Sequence, residues 1–330
     1  MHCSAAPLEE RSCESDDFDT TYFNGQEVGK GGMVSPYFWG NGRLYVIMSP
    51  WVAKVETAFQ PMPSAVAESE PKPPTARRDG TPTVLFNAMI LPLIPYGMKG
   101  VIWYQGEANV LRGYNYRTIF PTLIESWRTR WGIGDFPFYF VQLANLGSPP
   151  KDPNEASGWA ELRESQLMTW KITPNTGMAV AVDIGEARNI HPLNKKDVGD
   201  RLALIALAKD YGQKIEYSGP VYEAMKIAGD KIHLTFSHTG AGLVTKGGGP
   251  LKQFAIAGAD HKFSWAEAVI EGNEVVVSSK DVPSPVAVRY AWFSDPEGLN
   301  LYNRDGLPAS PFRTDTWDTP TVGIWWNIPH

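Results

Sequence analysis

Residues 100–109 read GVIWYQGEAN. Gly100 to Tyr104 form a continuous apolar run of strand length, and Gln105, Gly106, Glu107 and Asn109 follow with little between them. An apolar run bounded in this way is what a strand buried on both faces produces, and such strands belong to parallel sheets covered by helices. The polar residues then fall where the strand leaves the core. In an open α/β sheet, that carboxyl end is where ligands bind.

The same texture extends from Val84 to Gly212. FPFYFVQL (136–143) and MAVAVD (178–183) are further apolar runs. YRTIFPTLIESWRTRW (116–131) and NKKDVGDRLALIALAKDY (194–211) carry apolar residues at helical spacing, as does Val84–Leu93. Gly212 supplies the stop signal for the second of these. The alternation predicts an α/β core with a parallel sheet flanked by helices. MAVAVD runs into Asp183 and Glu186, and His191 follows shortly after. Two strand ends are therefore expected to deliver an amide, carboxylates and an imidazole to one rim.

After Tyr217 the pattern changes to short alternating runs, KIHLTF, FAIAG, EVVVSS and AVRYAWF, separated by turn signals. These predict a C-terminal antiparallel β-sandwich. Before Val84, DTTYFNGQEVG and GNGRLYVIMS alternate polar and apolar residues, with Asn24-Gly25 as a hairpin signal. The Pro- and charge-rich stretch PMPSAVAESEPKPPTARRDGTP (61–82) reads as a linker. The expected organisation is a β fragment over 1–60, a linker over 61–83, the α/β core over 84–216 and the β-sandwich over 217–330.

Composition narrows the function. The 330 residues carry a formal net charge of −6 with no block of Lys or Arg, which argues against nucleic acid and anionic membrane as partners. Aromatic residues make up 12%, a content that suits β-sandwich cores or surfaces that cover the flat faces of sugars. Cys3 and Cys13 do not make a disulfide framework. The six histidines are scattered without metal-ligand spacing, and no dinucleotide or P-loop motif appears; Gly247–Gly249 reads as a turn. No metal and no cofactor are expected. The N-terminal residues MHCSAAPLEERSCESDD lack the apolar core of a signal peptide, and no stretch has the length of a membrane span.

What fits is cofactor-free hydrolysis. His191 can act as general base toward a nearby hydroxyl, and an asparagine amide with a glycine N–H can stabilise an oxyanion. The plainer readings are a polar helix-capping turn for Gln105–Asn109 and a structural histidine at 191.

Several long segments resemble one family. They are LFNAMILPLIPYGMKGVIWYQGEANV, DFPFYFVQLAN, WAELRESQL, VDIGEARNIHPLNKKDVGDRLALIALAKDYG, AIAGADHKFSWAEAVI and VRYAWFSDPEGLNLYNRDGLPASPFRTD. Together, from about Val84 to Trp317, they resemble the sialate O-acetylesterase family of SGNH-type carbohydrate esterases. The resemblance implies an SGNH-hydrolase-like core and a jelly-roll insertion, to which DDFDTTYFNGQEVG (16–29) is similar. It implies that Gly106 and Asn109 stabilise the oxyanion, that Gln105 and Glu107 shape the pocket, and that His191 is the general base. Members carry the nucleophile in an S-G-Q-S-N-like motif ahead of the insertion. That motif is absent here, so the nucleophile is unknown; Ser4, Ser35, Ser126 and Ser165 are poor substitutes. Members also place an aspartate three residues before the histidine. Arg188 holds that position, which leaves Asp183 or Glu186 to orient the imidazole.

The implied function is removal of O-acetyl groups from sialic acid or other acetylated sugars. The alternative is a catalytically impaired carbohydrate-binding protein. The resemblance suggests a secreted or periplasmic setting and leaves the oligomeric state open.

Overall fold

The computed structural model describes residues 86–324 and five short strands nearer the N-terminus: His2–Cys3, Cys13–Glu14, Thr20–Phe23, Gln26–Lys30 and Tyr45–Met48. The chain forms two compact units, one of residues 1–39 and 60–93, the other of residues 40–59 and 94–330. In the first, Thr20–Phe23 pairs antiparallel with Gln26–Lys30 across Asn24-Gly25. The remainder of the expected jelly-roll insertion and the linker lie outside the described residues.

The second unit is built on a four-stranded sheet. Its strands are β1 (Tyr45–Met48), β2 (Met98–Trp103), β3 (Phe138–Gln142) and β4 (Thr176–Val180), in that order. β2, β3 and β4 run parallel, and β1 is added antiparallel to the free edge of β2. An edge strand so covered no longer offers unpaired backbone.

Helices cover both faces. α1 (Tyr116–Trp131) buries Tyr116, Phe120, Ile124 and Trp127 at helical spacing and ends at Gly132, whose φ of 64° gives the left-handed cap. Its aromatic stripe meets β2 and β3 in a cluster of Trp103, Phe120, Trp127, Phe138 and Phe140. α2 (Gly158–Ile172) packs beside α1 and is capped by Ser157, whose Oγ accepts from the Ala160 N–H at 3.1 Å. On the opposite face, Val198, Leu202 and Ile205 of α3 (Lys195–Lys209) close over Tyr139, Val141, Ala179 and Ala181. Asn194 caps α3, and Gly212 beyond its end has a φ of 68°.

The C-terminal region is antiparallel. One sheet joins Glu267–Glu271, Glu274–Ser278, Lys231–Ser237 and Val221–Ala228; a second joins Phe263–Trp265, Phe254–Ala257, Ala287–Tyr290 and Phe312–Arg313. Ile232, Leu234 and Phe236 alternate inward along one strand, as a half-buried sheet requires. This region returns to the α/β core at buried polar contacts. Ser310 Oγ and Gln142 exchange hydrogen bonds, Arg313 pairs with Glu164 at 2.8 Å, and the hydroxyls of Thr319 and Thr321 donate to Glu161. Among the described residues no helix is long and apolar enough to cross a membrane.

Candidate active site

Parallel pairing of β2, β3 and β4 fixes where the chain leaves the sheet. The segments 104–109, 143–147 and 181–191 all follow carboxyl ends and share one rim. Gly147 N–H donates to the Ala187 carbonyl at 2.9 Å, and Gly185 N–H donates to Asn145 Oδ1 at 2.8 Å, joining the second and third segments. The approach is close enough to require glycine: a Cβ at position 185 would lie 2.5 Å from the Asn145 carbonyl oxygen.

Beyond β2 the chain turns at Gly106 into a 3-10 segment, Glu107–Asn115. Gly106 has a φ of 157°, a backbone conformation that L side chains rarely adopt, and this lets the turn settle onto α2 beside Leu162. Gln105 and Asn109 are buried and bonded to each other, with Gln105 Nε2 donating to Asn109 Oδ1 at 2.8 Å. The oxygen of the Asn109 amide is thereby occupied, and its Nδ2 is left as a donor.

Glu107 is half-buried, but its Oε2 is fully enclosed and has no hydrogen-bond partner among the described residues. Burial pushes the Glu107 pKa up to about 7; the N–H groups of Glu107 and Gly106 and the charge of Lys195 pull the other way. Lys195, at the start of α3, lies over the Tyr104 ring at 5.1 Å and is itself pulled below its ordinary value by burial, against the attraction of Glu107 and Glu186. Burial, reinforced by Glu107, keeps Tyr104 protonated. Lys195 thus links the Tyr104–Glu107 corner electrostatically to the segment carrying His191.

The Glu107 shift makes a stability prediction. The folded protein holds this proton more tightly than the unfolded chain, where a glutamate carboxyl titrates at its ordinary value of 4.5. Its stabilising contribution is therefore complete below about pH 4.5 and lost as pH rises through about 7, a change of roughly 3 kcal/mol. Glu107→Gln keeps the shape and removes the titration. In urea unfolding the variant should exceed the parent in stability at pH 8 and lose that advantage by pH 4.5. A parent–variant difference that is flat with pH would exclude this account.

The two acids expected to orient His191 do other work. Asp183 forms a bidentate pair with Arg201 at 2.6 and 2.8 Å and accepts from the Tyr302 hydroxyl at 2.8 Å. Glu186 accepts from the Leu193 N–H at 2.6 Å and from Asn189 Nδ2 at 3.2 Å. Neither carboxylate pairs with the imidazole. Glu186 acts one step back: it fixes the Asn189 side chain, whose Oδ1 accepts from the His191 N–H at 2.9 Å and so sets the backbone at the histidine. His191 is half-buried, and Ile190 and Leu193 near it in the chain are exposed.

Of the serines considered from sequence, the two that are described, Ser126 and Ser165, do not pair with His191. Ser165 is buried in α2 and donates to the Gly113 carbonyl at 2.7 Å, Ser126 is exposed on α1, and Ser4 and Ser35 lie outside the described residues. Sequence reasoning missed Tyr116, Arg201, Lys195 and Tyr302. The first three open or line helices that follow the strand ends, and that position was the available signal. Tyr302 lies 119 residues from its partner and left none.

The strand ends of this α/β sheet lead to a buried amide, a perturbed carboxyl and an imidazole, and comparison with known proteins gives the chain a class. Residues 85–208 match the family described as carbohydrate esterase, sialic acid-specific acetylesterase. The chain is 34% identical over 261 residues to human sialate O-acetylesterase and to the mouse protein of the same name, spanning 70% of this chain and 48% and 47% of theirs. It therefore spans about half the length of the curated relatives it matches. A crystal structure of a carbohydrate acetylesterase from Xanthomonas citri superposes with a TM-score of 0.68 at 48% identity, over 72% of this chain and 55% of that one. The chain belongs to the sialate O-acetylesterase family.

Proposed function

We propose that this protein removes O-acetyl groups from sialic acid or other acetylated sugars by serine-type acyl transfer to water. The observation that carries the reading is the Asn109 amide, held by Gln105 with its donor end unoccupied among the described residues, at a strand end of the same sheet whose third parallel strand leads to His191. His191 takes the proton of an attacking serine hydroxyl as it adds to the acetyl carbonyl. Asn109 Nδ2 then donates to the oxygen that becomes negative. Collapse expels the sugar oxygen, which receives the proton from His191, and water repeats the sequence on the acetyl-serine. Gly106 N–H is the second donor that the resemblance implies, and the Asn109 side chain is the one on which the proposal rests.

A second reading has one observation in its favour. Among the described residues no hydroxyl pairs with His191, as expected of a carbohydrate-binding relative without catalysis. One experiment separates the two. The purified chain is incubated with O-acetylated sialic acid, with an acetylated neutral sugar and with a fluorophosphonate probe. Acetate release, with probe on a single serine found by peptide mapping, supports the esterase and identifies the nucleophile. Sugar binding by calorimetry with no acetate release and no labelled serine would overturn it in favour of the binding protein.

A further inference from the structure

Gln105 belongs to a chain of hydrogen bonds that begins inside the core. The Tyr116 hydroxyl, at the first residue of α1, donates to Gln105 Oε1 at 2.9 Å, and Gln105 Nε2 donates onward to Asn109 Oδ1 at 2.8 Å. All three side chains are buried, at 3%, 2% and 3% exposure, so solvent cannot exchange for any of these partners. Burial drives the Tyr116 pKa up, and the hydroxyl stays protonated throughout the working range of pH. Gln166 Nε2 holds the Gln105 carbonyl from α2 at 3.3 Å.

The two ends of an amide have nearly the same shape and opposite hydrogen-bonding sense. In this arrangement the Tyr116 hydroxyl donates to the oxygen of Gln105, which leaves the Gln105 NH2 facing Asn109. That group can only donate, so Asn109 must answer with Oδ1. We propose that Tyr116 and Gln105 are positioning residues that set the polarity of the Asn109 amide, holding Nδ2 as the end available to the rim. The inference rests on the proposed role of Asn109 as oxyanion donor, and it adds the device that makes the amide a donor there rather than an acceptor.

Gln105→Glu separates positioning from simple support. The ionised carboxylate accepts only. It keeps the Tyr116 bond and draws Asn109 Nδ2 toward itself, turning Oδ1 to the rim. The number of hydrogen bonds is unchanged while their sense is reversed. Once protonated, the introduced carboxyl restores the parent arrangement, since its O–H donates to Asn109 Oδ1 and its carbonyl accepts from Tyr116.

The titratable neighbours are Tyr116 from α1, Glu107 and Tyr104 from the same segment, Arg163 from α2 and Lys195 from α3. The comparison is therefore a ratio to the parent, repeated in an E107Q background. The first readout needs no activity: side-chain amide hydrogen exchange by NMR on 15N-labelled, deuterated protein. In the parent, the slowly exchanging amide should be that of Gln105. In Q105E at pH 8 it should be that of Asn109, and the protection should vanish as pH falls. Asn109 exchange that is equal in parent and variant at every pH would overturn the proposal.

The second readout is aryl acetate hydrolysis. The kcat of Q105E should fall about 100-fold at pH 8, with KM changed much less, and the ratio to the parent should recover toward acid pH. A pH-independent ratio in an active parent would also overturn the proposal. A parent with no His191-dependent hydrolysis would instead refute the esterase reading, while the exchange measurement still decides the relay. Tyr116→Phe should release the Gln105 amide and lower its protection.

Discussion

Replacing His191 with alanine should lower acetyl-ester hydrolysis by at least about 10³-fold and leave the fold unchanged. The two halves of that expectation have separate origins. The loss follows from removing the only imidazole on the segment beyond β4, where proton transfer to and from the reacting oxygens is proposed to occur. The intact fold follows from how the histidine is held. Its N–H is fixed by Asn189, and its ring makes no hydrogen bond or ion pair among the described residues. The unfolding free energy of His191→Ala should therefore stay within about 1 kcal/mol of the parent. KM should change little, because the base contributes to the transition state more than to sugar binding. Added imidazole, small enough to enter the space left by the ring, should restore part of the rate. Hydrolysis that survives His191→Ala at full strength would remove the base from the mechanism.

The features legible in sequence are those set by local pattern. The apolar run at 100–104 and the helical spacing at 116–131 reflect burial on two faces and on one stripe, and both depend on neighbours a few residues away. The rim followed from topology, because parallel strands must expose their carboxyl ends on one side. Partner choice was not legible. Asp183 and Glu186 were equally placed near His191 along the chain, yet Arg201 claims one and the turn at Asn189 and Leu193 claims the other. Arg201 lies two turns into α3, and that helix faces Asp183 only because it packs back over β4. Such pairing is decided by tertiary packing, which the spacing of acids and histidines does not encode. Tyr116 is similar: its place in the α1 stripe reads as core, and its hydroxyl finds Gln105 only in the fold.

Arg163→Met should be the most destabilising single change in the α/β core, by about 4 kcal/mol or more, a large part of the stability of a typical domain. Arg163 is fully buried in α2 and its guanidinium carries no direct carboxylate pair among the described residues. It donates instead to four backbone carbonyls, those of Leu143, Ala144 and Phe293 at 2.7 Å and of Ser294 at 3.0 Å. Burial pushes its pKa down to about 9, with Asp295 and Tyr104 opposing, so it remains charged at neutral pH. The planar fork suits four acceptors converging from two loops, which an ammonium cannot match. Methionine fills the volume but strands the Leu143 and Phe293 carbonyls, one on each side of the junction between β3 and the C-terminal region, while Ala144 keeps the Trp159 indole and Ser294 the Leu146 N–H as donors. Each buried carbonyl left unpaired costs about 1–3 kcal/mol. Arg163→Lys should recover part of the loss, since three donors replace the fork without its geometry. The damage also reaches the rim. Leu143 and Ala144 lead directly to Asn145, which receives the Gly185 N–H and donates to Asp295 at 2.8 Å. Loosening that loop should lower esterase activity in Arg163→Met even at temperatures where the variant is still folded. Urea denaturation of the three proteins, with activity followed below each transition, tests both claims. An unfolding free energy for Arg163→Met within about 1 kcal/mol of the parent would mean that the Leu143 and Phe293 carbonyls find water or other donors, and that the arginine is not what joins the loops.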